Sequence, residues 1–172
     1  MILKAFKEKS NQKYVNKLLT TRKAVVNSNK VKTIAVLLNA NEFNDFEAFR
    51  QYFKDLNLTS PKHKIIAFTN DDKFVSSQWE SYVSPKDFGW NGIIKHKDLL
   101  LFTEETYDVL ISYYKDEVLP LKLITATSMA NLKVGISRND ERLYDLIIDV
   151  LPKEIETFKR EFKKYLNILN KL

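Results

Sequence analysis

The chain of 172 residues contains no cysteine, only three glycines and only two histidines. The absence of cysteine excludes disulfide bridges, thiolate metal sites, iron–sulfur clusters and a cysteine nucleophile. His63 and His96 alone leave little for a zinc site, so any metal would need oxygen ligands. No glycine falls in a predicted strand-to-helix turn, so the dinucleotide-binding fingerprint and the P-loop are both absent. The sequence therefore predicts neither a cofactor nor a metal.

The sequence also lacks a long apolar run. No stretch of about 18 apolar residues is present, so no transmembrane span is predicted, and the start of the chain lacks the apolar core of a secretory signal. With 44% hydrophobic residues, the chain is long enough for one buried core. We therefore expect a single cytoplasmic domain over 1–172, with a basic N-terminal helix (1–30), a sheet with crossover helices (31–151) and a C-terminal helix (152–172).

Positive charge is concentrated at one end of the chain, which has a net charge of +6. Residues 1–32 contain nine basic side chains and one acid, whereas residues 33–152 contain 13 basic side chains and 18 acids. A basic segment of this kind attracts phosphate groups, anionic lipid or an acidic partner. The alternative interpretation is that it forms only the solvated face of a lysine-rich helix.

Two strand–helix–strand units are visible in the spacing of apolar residues. The β-branched runs 31–38 and 63–69 are typical of buried strands, and aromatic residues recur at helical spacing over 44–57 between them. The runs 107–114 and 133–137 flank a second helical segment in the same way. A crossover of this length joins parallel strands, so the two units predict a parallel sheet covered on both faces.

The last strand is predicted to run in the opposite direction. Only 138–142 separate the strand that ends at Ser137 from the alternating segment 144–151, and a parallel crossover needs about a dozen residues. Residues 5–26, and those after Pro152, have the apolar spacing of helices. The predicted fold is therefore an α/β, three-layer, Rossmann-like sandwich with a mostly parallel sheet of about five strands, an antiparallel edge strand and helices at both termini.

Ligands of open parallel sheets bind at the carboxyl ends of the strands. In this sequence those ends are polar, and the candidate ligand-binding residues are Asn41, Asp71, Asp116, Glu117 and Arg138. Acids here suit Mg²⁺ held together with a substrate phosphate, but acids in turns ordinarily cap helices, and we favour that interpretation. No catalytic residue is predicted. Whether the chain is an enzyme is left open, with a non-catalytic role favoured.

The basic helix is the first candidate surface for partner binding. Lys9, Lys13 and Lys17 suit an anionic or protein partner. The apolar stripe of this helix is thin, so a second copy of the chain is an alternative packing surface, which would make a homodimer. The stripe consists of Phe6, Tyr14, Leu18, Leu19 and Val25.

The segment around Trp90 is the second candidate surface. Two glycines flank Trp90, which predicts a tight turn or an exposed loop. Together with Trp79 and Tyr82, this tryptophan would form a stacking platform for a base or a partner side chain. The alternative is that these aromatic residues close the edge of a core.

Several segments resemble an uncharacterised family of small bacterial α/β proteins. The resemblance rests on YDVLIS (107–112), LPLK (119–122), TATSMANLKVGI (125–136) and YDLIID (144–149); it extends over most of the chain and implies no activity. The stretch 107–149 is also similar to the N-terminal half of lipopolysaccharide heptosyltransferases. Those enzymes need a second Rossmann-like domain, which this chain lacks, so this likeness implies a shared fold only.

Two functional hypotheses follow from the sequence. The first is a non-catalytic binding or interaction module that contacts its partner through the basic helix and the Trp90 loop. The alternative is a small enzyme or nucleotide-type ligand binder that uses the carboxyl ends of the parallel strands. The second hypothesis requires a concave pocket at those ends.

Overall fold

The computed structural model describes residues 1–75 and 80–172. Its described strands form one six-stranded sheet in the order β3-β2-β1-β4-β5-β6, and every pair of neighbours is parallel. The strands are β1 (Ile34–Asn39), β2 (Lys64–Phe68), β3 (Ser81–Val83), β4 (Val109–Tyr113), β5 (Leu132–Gly135) and β6 (Leu146–Ile147). The strand order reverses between β1 and β4, so these two neighbours form the centre of the sheet.

Helices cover both faces of the sheet and lie at both ends of the chain, as predicted. They are α1 (Ile2–Thr21), α2 (Phe46–Asp55), α3 (Asp72–Val75), α4 (Lys97–Glu104), α5 (Leu119–Thr127) and α6 (Ile155–Ile168). Aromatic side chains of α2 and α6 pack on one face, and apolar side chains of α1, α4 and α5 pack on the other. Among the described helices, none is long and apolar enough to cross a membrane.

The central strand β1 explains why the fold has three layers. All six of its residues are buried, and successive side chains of a strand point to opposite faces. Ile34, Val36 and Leu38 pack with α2 and α6, whereas Ala35 and Leu37 pack with α1, α4 and α5. A strand that is apolar on both faces requires a helical layer on each side.

The prediction of an antiparallel edge strand is wrong. β6 is parallel to β5, with Val134 opposite Leu146. The predicted connection was too short because β5 ends at Gly135, two residues before the predicted end at Ser137, and only two residues of the alternating segment 144–151 pair as a strand. The longer connection contains a 3₁₀ turn over Glu141–Leu143, which gives the chain the length it needs to return parallel. The sheet also has six strands rather than about five.

The structure places β3 and α4 in the region 71–105, for which the sequence predicted no regular helix. Two buried side chains one turn apart, Leu99 and Phe102, hold α4 against the sheet. His96 begins this helix, because its Nδ1 accepts a hydrogen bond from the Leu99 N–H at 3.2 Å. The turn predicted around Trp90 is present and is closed by one antiparallel bridge between Phe88 and Ile94.

Two aspartates, one just before β4 and one just before β6, each accept hydrogen bonds from backbone N–H groups in or next to the neighbouring strand. Asp108 accepts hydrogen bonds from the N–H groups of Lys32 and Thr33 at 2.8 and 2.9 Å, just before β1. Asp145 accepts one from the Lys133 N–H at 2.8 Å, in β5. Both follow a tyrosine in the repeated dipeptide Tyr-Asp. Each aspartate therefore pairs backbone donors that the sheet itself leaves free.

Lys133 is a buried cation on β5, with only 5% of its surface exposed. Its Nζ donates hydrogen bonds to the carbonyl oxygens of Thr125 and Ala126, at 2.8 and 3.3 Å, at the last turn of α5. Burial, aided by the nearby positive charge of Arg22, lowers the pKa of Lys133 to about 8. A lysine in this setting loses its proton more easily in the folded chain than in the unfolded chain.

The lowered pKa of Lys133 predicts a pH-dependent stability. Between about pH 8 and 10 the unfolded chain keeps a proton that the folded chain has released, so the free energy of unfolding rises with pH. Relative to Lys133→Met, the wild type should gain roughly 1 kcal/mol per pH unit in this window. Urea unfolding at several pH values measures the difference, and Lys54→Met, at an exposed position, is the control. Parallel curves for wild type and Lys133→Met would contradict the prediction.

Candidate functional site

A cleft of about 730 Å³ opens at the carboxyl ends of the strands. One wall is α1, and the opposite wall is the segment 117–120, which follows β4 and leads into α5. Three buried apolar side chains also line it: Phe68 at the end of β2, Phe88 after β3 and Leu123 on α5. We call this space the α1 cleft.

The polar lining of the α1 cleft is mainly cationic. Four lysines of α1 line it: Lys4, Lys7, Lys9 and Lys13. The carboxylates in the described lining are those of Glu8 and Glu117. The N-terminal end of α5 also lies here without a side-chain cap, and a helix dipole is positive at that end. The cleft therefore joins an apolar surface to an excess of positive charge, which favours an anion with an apolar body.

A single buried asparagine fixes α1 beside the cleft. The side-chain amide of Asn11 donates a hydrogen bond to the Gly89 carbonyl at 2.9 Å, and its carbonyl oxygen accepts one from the Gly92 N–H at 2.9 Å. Gly92 has a φ of +75°, and a Cβ there would lie 2.2 Å from the ring of Tyr14. Only glycine therefore allows the loop 89–92 to approach α1 this closely.

The buried face of α1 differs from the predicted apolar stripe. Asn11, Val15 and Leu19 are buried at four-residue spacing, whereas Phe6 is exposed and Val25 lies beyond the helix. The stripe was misplaced because the buried face begins with a polar residue, Asn11, which an apolar pattern does not count. The end of α1 is held by an ion pair of 2.6 Å between the largely buried side chains of Arg22 and Asp145.

The crevice between β1 and β4, where ligands of doubly wound sheets bind, is occupied by a side chain of the protein. The carboxylate of Glu42, in the turn after β1, accepts hydrogen bonds from the N–H groups of Lys115 at 2.9 Å and Asp116 at 3.2 Å. It also accepts one from the side-chain amide of Asn39 at 3.0 Å. Glu42 thus pairs the amides that an external anion would need, and it fixes the chain that leads into the cleft wall.

Of the predicted ligand-binding residues on these strand ends, the structure places only Glu117 in the α1 cleft. Its carboxylate lies 3.8 Å from the Lys122 ammonium group. Asn41 is exposed in the turn after β1, and Asp71 accepts a hydrogen bond from an N–H two residues later. Asp116 is exposed and contributes its N–H group to Glu42. These positions agree with turn and capping roles.

Arg138, the fifth candidate, lies apart from the cleft. Its guanidinium group forms ion pairs with Glu141 at 3.1 Å and Asp149 at 3.3 Å. The neighbouring Lys115 and Arg138 together lower the pKa of Asp149. Within residues 1–75 and 80–172, no cluster of three or more histidine, aspartate or glutamate side chains is suited to a metal ion.

The predicted partner-binding residues are divided between two surfaces. Lys9 and Lys13 line the cleft, whereas Lys17 is exposed on α1 outside it. Trp90 is 42% exposed in the loop that holds α1. Tyr82 packs with α2 on the other face of the sheet, so it forms no platform with Trp90. Trp79 lies outside the described residues.

Comparison with known proteins adds a family but no activity. A family model described as a family of unknown function, DUF6913, matches residues 7–169. The match covers nearly the whole chain and confirms the predicted resemblance to an uncharacterised family. No curated protein and no solved structure matches the chain.

The hydrogen bonds of Asn11 predict that removing its side-chain amide lowers the free energy of unfolding. Asn11→Ala leaves the buried Gly89 carbonyl and Gly92 N–H without partners, which should cost roughly 2 kcal/mol of unfolding free energy. The amides of α1 should also exchange with deuterium faster than in the wild type. Asn16→Ala, at an exposed position of the same helix, is the control and should change stability by less than about 0.5 kcal/mol. Equal stability of the two variants would refute this role of Asn11.

The role of Glu42 predicts that its substitution lowers the protection of nearby backbone amides against hydrogen exchange. Glu42→Gln keeps the shape of the side chain but removes its negative charge and one of the two oxygens that the Lys115 and Asp116 amides each contact. We expect a loss of roughly 1–2 kcal/mol and faster hydrogen exchange at these two amides. The matched control is Glu47→Gln, which changes a carboxylate that is 66% exposed on α2. Unchanged exchange at both amides would show that Glu42 does not hold this segment.

Proposed function

Since the chain belongs to DUF6913, a family of unknown function, we propose its function from its own geometry. We propose that the protein is a non-catalytic binding protein whose ligand is a small organic anion with an apolar body. The α1 cleft is the binding site. The observation that carries this proposal is the position of buried apolar side chains and several lysines around one cavity at the carboxyl ends of the strands.

The size and chemistry of the α1 cleft support this ligand class. Its volume of about 730 Å³ falls within the range of roughly 300–1,000 Å³ that is usual for small-molecule sites. The partly exposed Val118, Leu119 and Pro120 offer an apolar surface, and Lys9 and Lys13 offer positive charge. A nucleoside monophosphate has both parts, a flat heteroaromatic base and a phosphate, and therefore represents the class.

The side chains around the cleft favour binding over catalysis. The described lining contains lysines, amides and two glutamates, but neither histidine nor a hydroxyl group. His96 begins α4, and His63 lies at the opposite end of the sheet, where its Nδ1 accepts a hydrogen bond from the Ile34 N–H at 3.0 Å. Neither histidine is therefore placed to act as a general base in this cleft.

The other predictions about function neither support nor contradict the proposed role of the cleft. The likeness of 107–149 to heptosyltransferases and the bacterial origin stay predictions, and the proposal does not depend on them. A homodimer through α1 also stays a prediction. Partner binding through the outward lysines rests on separate observations, namely the exposed side chains of α1.

The proposal is tested by filling the cleft without disturbing the core. Ala5 is exposed and lines the cleft, so Ala5→Trp should occupy the space, while Ala24→Trp adds the same ring at an exposed position outside it. Two probes are titrated: adenosine monophosphate by calorimetry, and the aromatic sulfonate 1-anilinonaphthalene-8-sulfonate by fluorescence. We expect Ala5→Trp to weaken binding of both probes by about tenfold or more, since a filled pocket loses its contacts, and Ala24→Trp to leave it unchanged.

Charge substitutions on the same helix provide a second comparison. Lys9→Glu and Lys13→Glu should weaken binding of both anions, and more strongly at low salt. Lys17→Glu makes the same charge change on α1 outside the cleft and should have the smaller effect. If neither probe binds the wild type, or if Ala5→Trp binds both as tightly as Ala24→Trp, the cleft is not the site of such a ligand.

A further inference from the structure

The first turns of α1 expose an apolar group of side chains. Ile2 and Leu3 are each 74% exposed, and Phe6 is 57% exposed. The buried contacts of α1 begin only at Asn11. We call Ile2, Leu3 and Phe6 the α1 tip. A contiguous group of exposed large apolar side chains marks an interaction surface more often than single ones do.

Lysines continue the face on which the α1 tip lies. At 3.6 residues per turn, Lys9, Lys13 and Lys17 follow Ile2 and Phe6 along the side of α1 that is opposite its buried residues. All three lysines are exposed. The outward face of α1 is therefore apolar at one end and cationic along the rest of its length.

We propose that the outward face of α1 docks on a membrane surface that contains anionic lipid. The α1 tip enters the boundary between headgroups and acyl chains, and Lys9, Lys13 and Lys17 lie against the anionic headgroups. Membrane binding grows with the apolar area that enters the interface and with the attraction of lysines to anionic headgroups, and this face of α1 offers both. This proposal concerns the side of α1 that is opposite its buried residues and does not rest on the proposed function, although Lys9 and Lys13 also line the cleft.

The charge distribution of the whole chain favours this partner over others. Residues 1–32 are strongly basic, and residues 33–152 carry a net negative charge, so an anionic surface attracts α1 and repels the segment 33–152. A second copy of the chain would bring two strongly basic segments together, which like-charge repulsion opposes. Nucleic acid would satisfy the lysines but would leave the α1 tip in water.

The experiment measures binding of the full chain to vesicles by co-sedimentation. One set of vesicles is pure phosphatidylcholine, and the other contains about 30% phosphatidylserine, which supplies the negative surface potential. We expect the wild type to bind the second set at least about tenfold more tightly, and to lose that preference at high salt. The double variant Ile2→Ser/Phe6→Ser should lose most of the binding.

Matched variants separate this face from the rest of the surface. Changing the three lysines of the face to glutamate should abolish vesicle binding, whereas the same change at exposed lysines near or on α6 should reduce it only a little. Those control positions are Lys153, Lys163 and Lys164. Ile168→Ser, at a side chain that is 67% exposed on α6, is the apolar control. All of these positions are exposed, so the melting temperature should stay close to that of the wild type.

Four results would overturn the proposal. The first three are equal binding to both sets of vesicles, equal loss of binding in the face variants and the control variants, and sedimentation of a dimer that Phe6→Ser dissociates. The fourth is tighter retention of the wild type on single-stranded DNA than on anionic vesicles, since the α1 tip would then have no role. Because Ile2 and Phe6 do not line the cleft, Ile2→Ser/Phe6→Ser should bind the two small probes as the wild type does, so each proposal fails separately.

Discussion

The contact between Asn11 and the loop 89–92 fixes α1 on the body of the protein, and both candidate binding surfaces depend on the position of this helix. The six-stranded sheet and its crossover helices form a common doubly wound frame, but the α1 cleft exists only because α1 is fixed across one part of it. A buried amide with two hydrogen bonds sets both the position and the rotation of the helix. An apolar contact alone is non-directional and would not determine which lysines face the cleft and which face outward.

Two places at the carboxyl ends of the strands suit an anion, and the protein itself occupies one of them. Glu42 pairs the amides of Lys115 and Asp116 at the point where the strand order reverses, so the usual ligand position of this topology is filled. The positive charge in the neighbouring cleft comes from four lysines of α1. Within residues 1–75 and 80–172, Lys4 is the one of these four with a carboxylate within 4.0 Å. Glu42 therefore has a structural role at its position, whereas the cleft lysines can still accept an external anion.

How far the sequence predicted this structure depends on the range of the interactions involved. The buried strands and the aromatic helix 46–55 are local patterns, and both repeated units were predicted with small errors at their ends. The direction of β6 depended on where β5 ends, at Gly135, where the absence of a side chain leaves room for the ring of Tyr144. The roles of Asn11 and Glu42 could not be predicted, because each depends on partners more than seventy residues away.

Because α1 contributes to two surfaces, the two proposed activities are linked through shared charges. Lys9 and Lys13 line the cleft and also belong to the outward face. An anion bound in the cleft neutralises part of the charge that attracts headgroups, while a membrane surface competes for the same ammonium groups. Such coupling is reciprocal: each ligand lowers the affinity for the other by the same factor. Because α1 lies between the cleft and the solvent, binding of the ligand and binding of the membrane surface would affect each other through this helix.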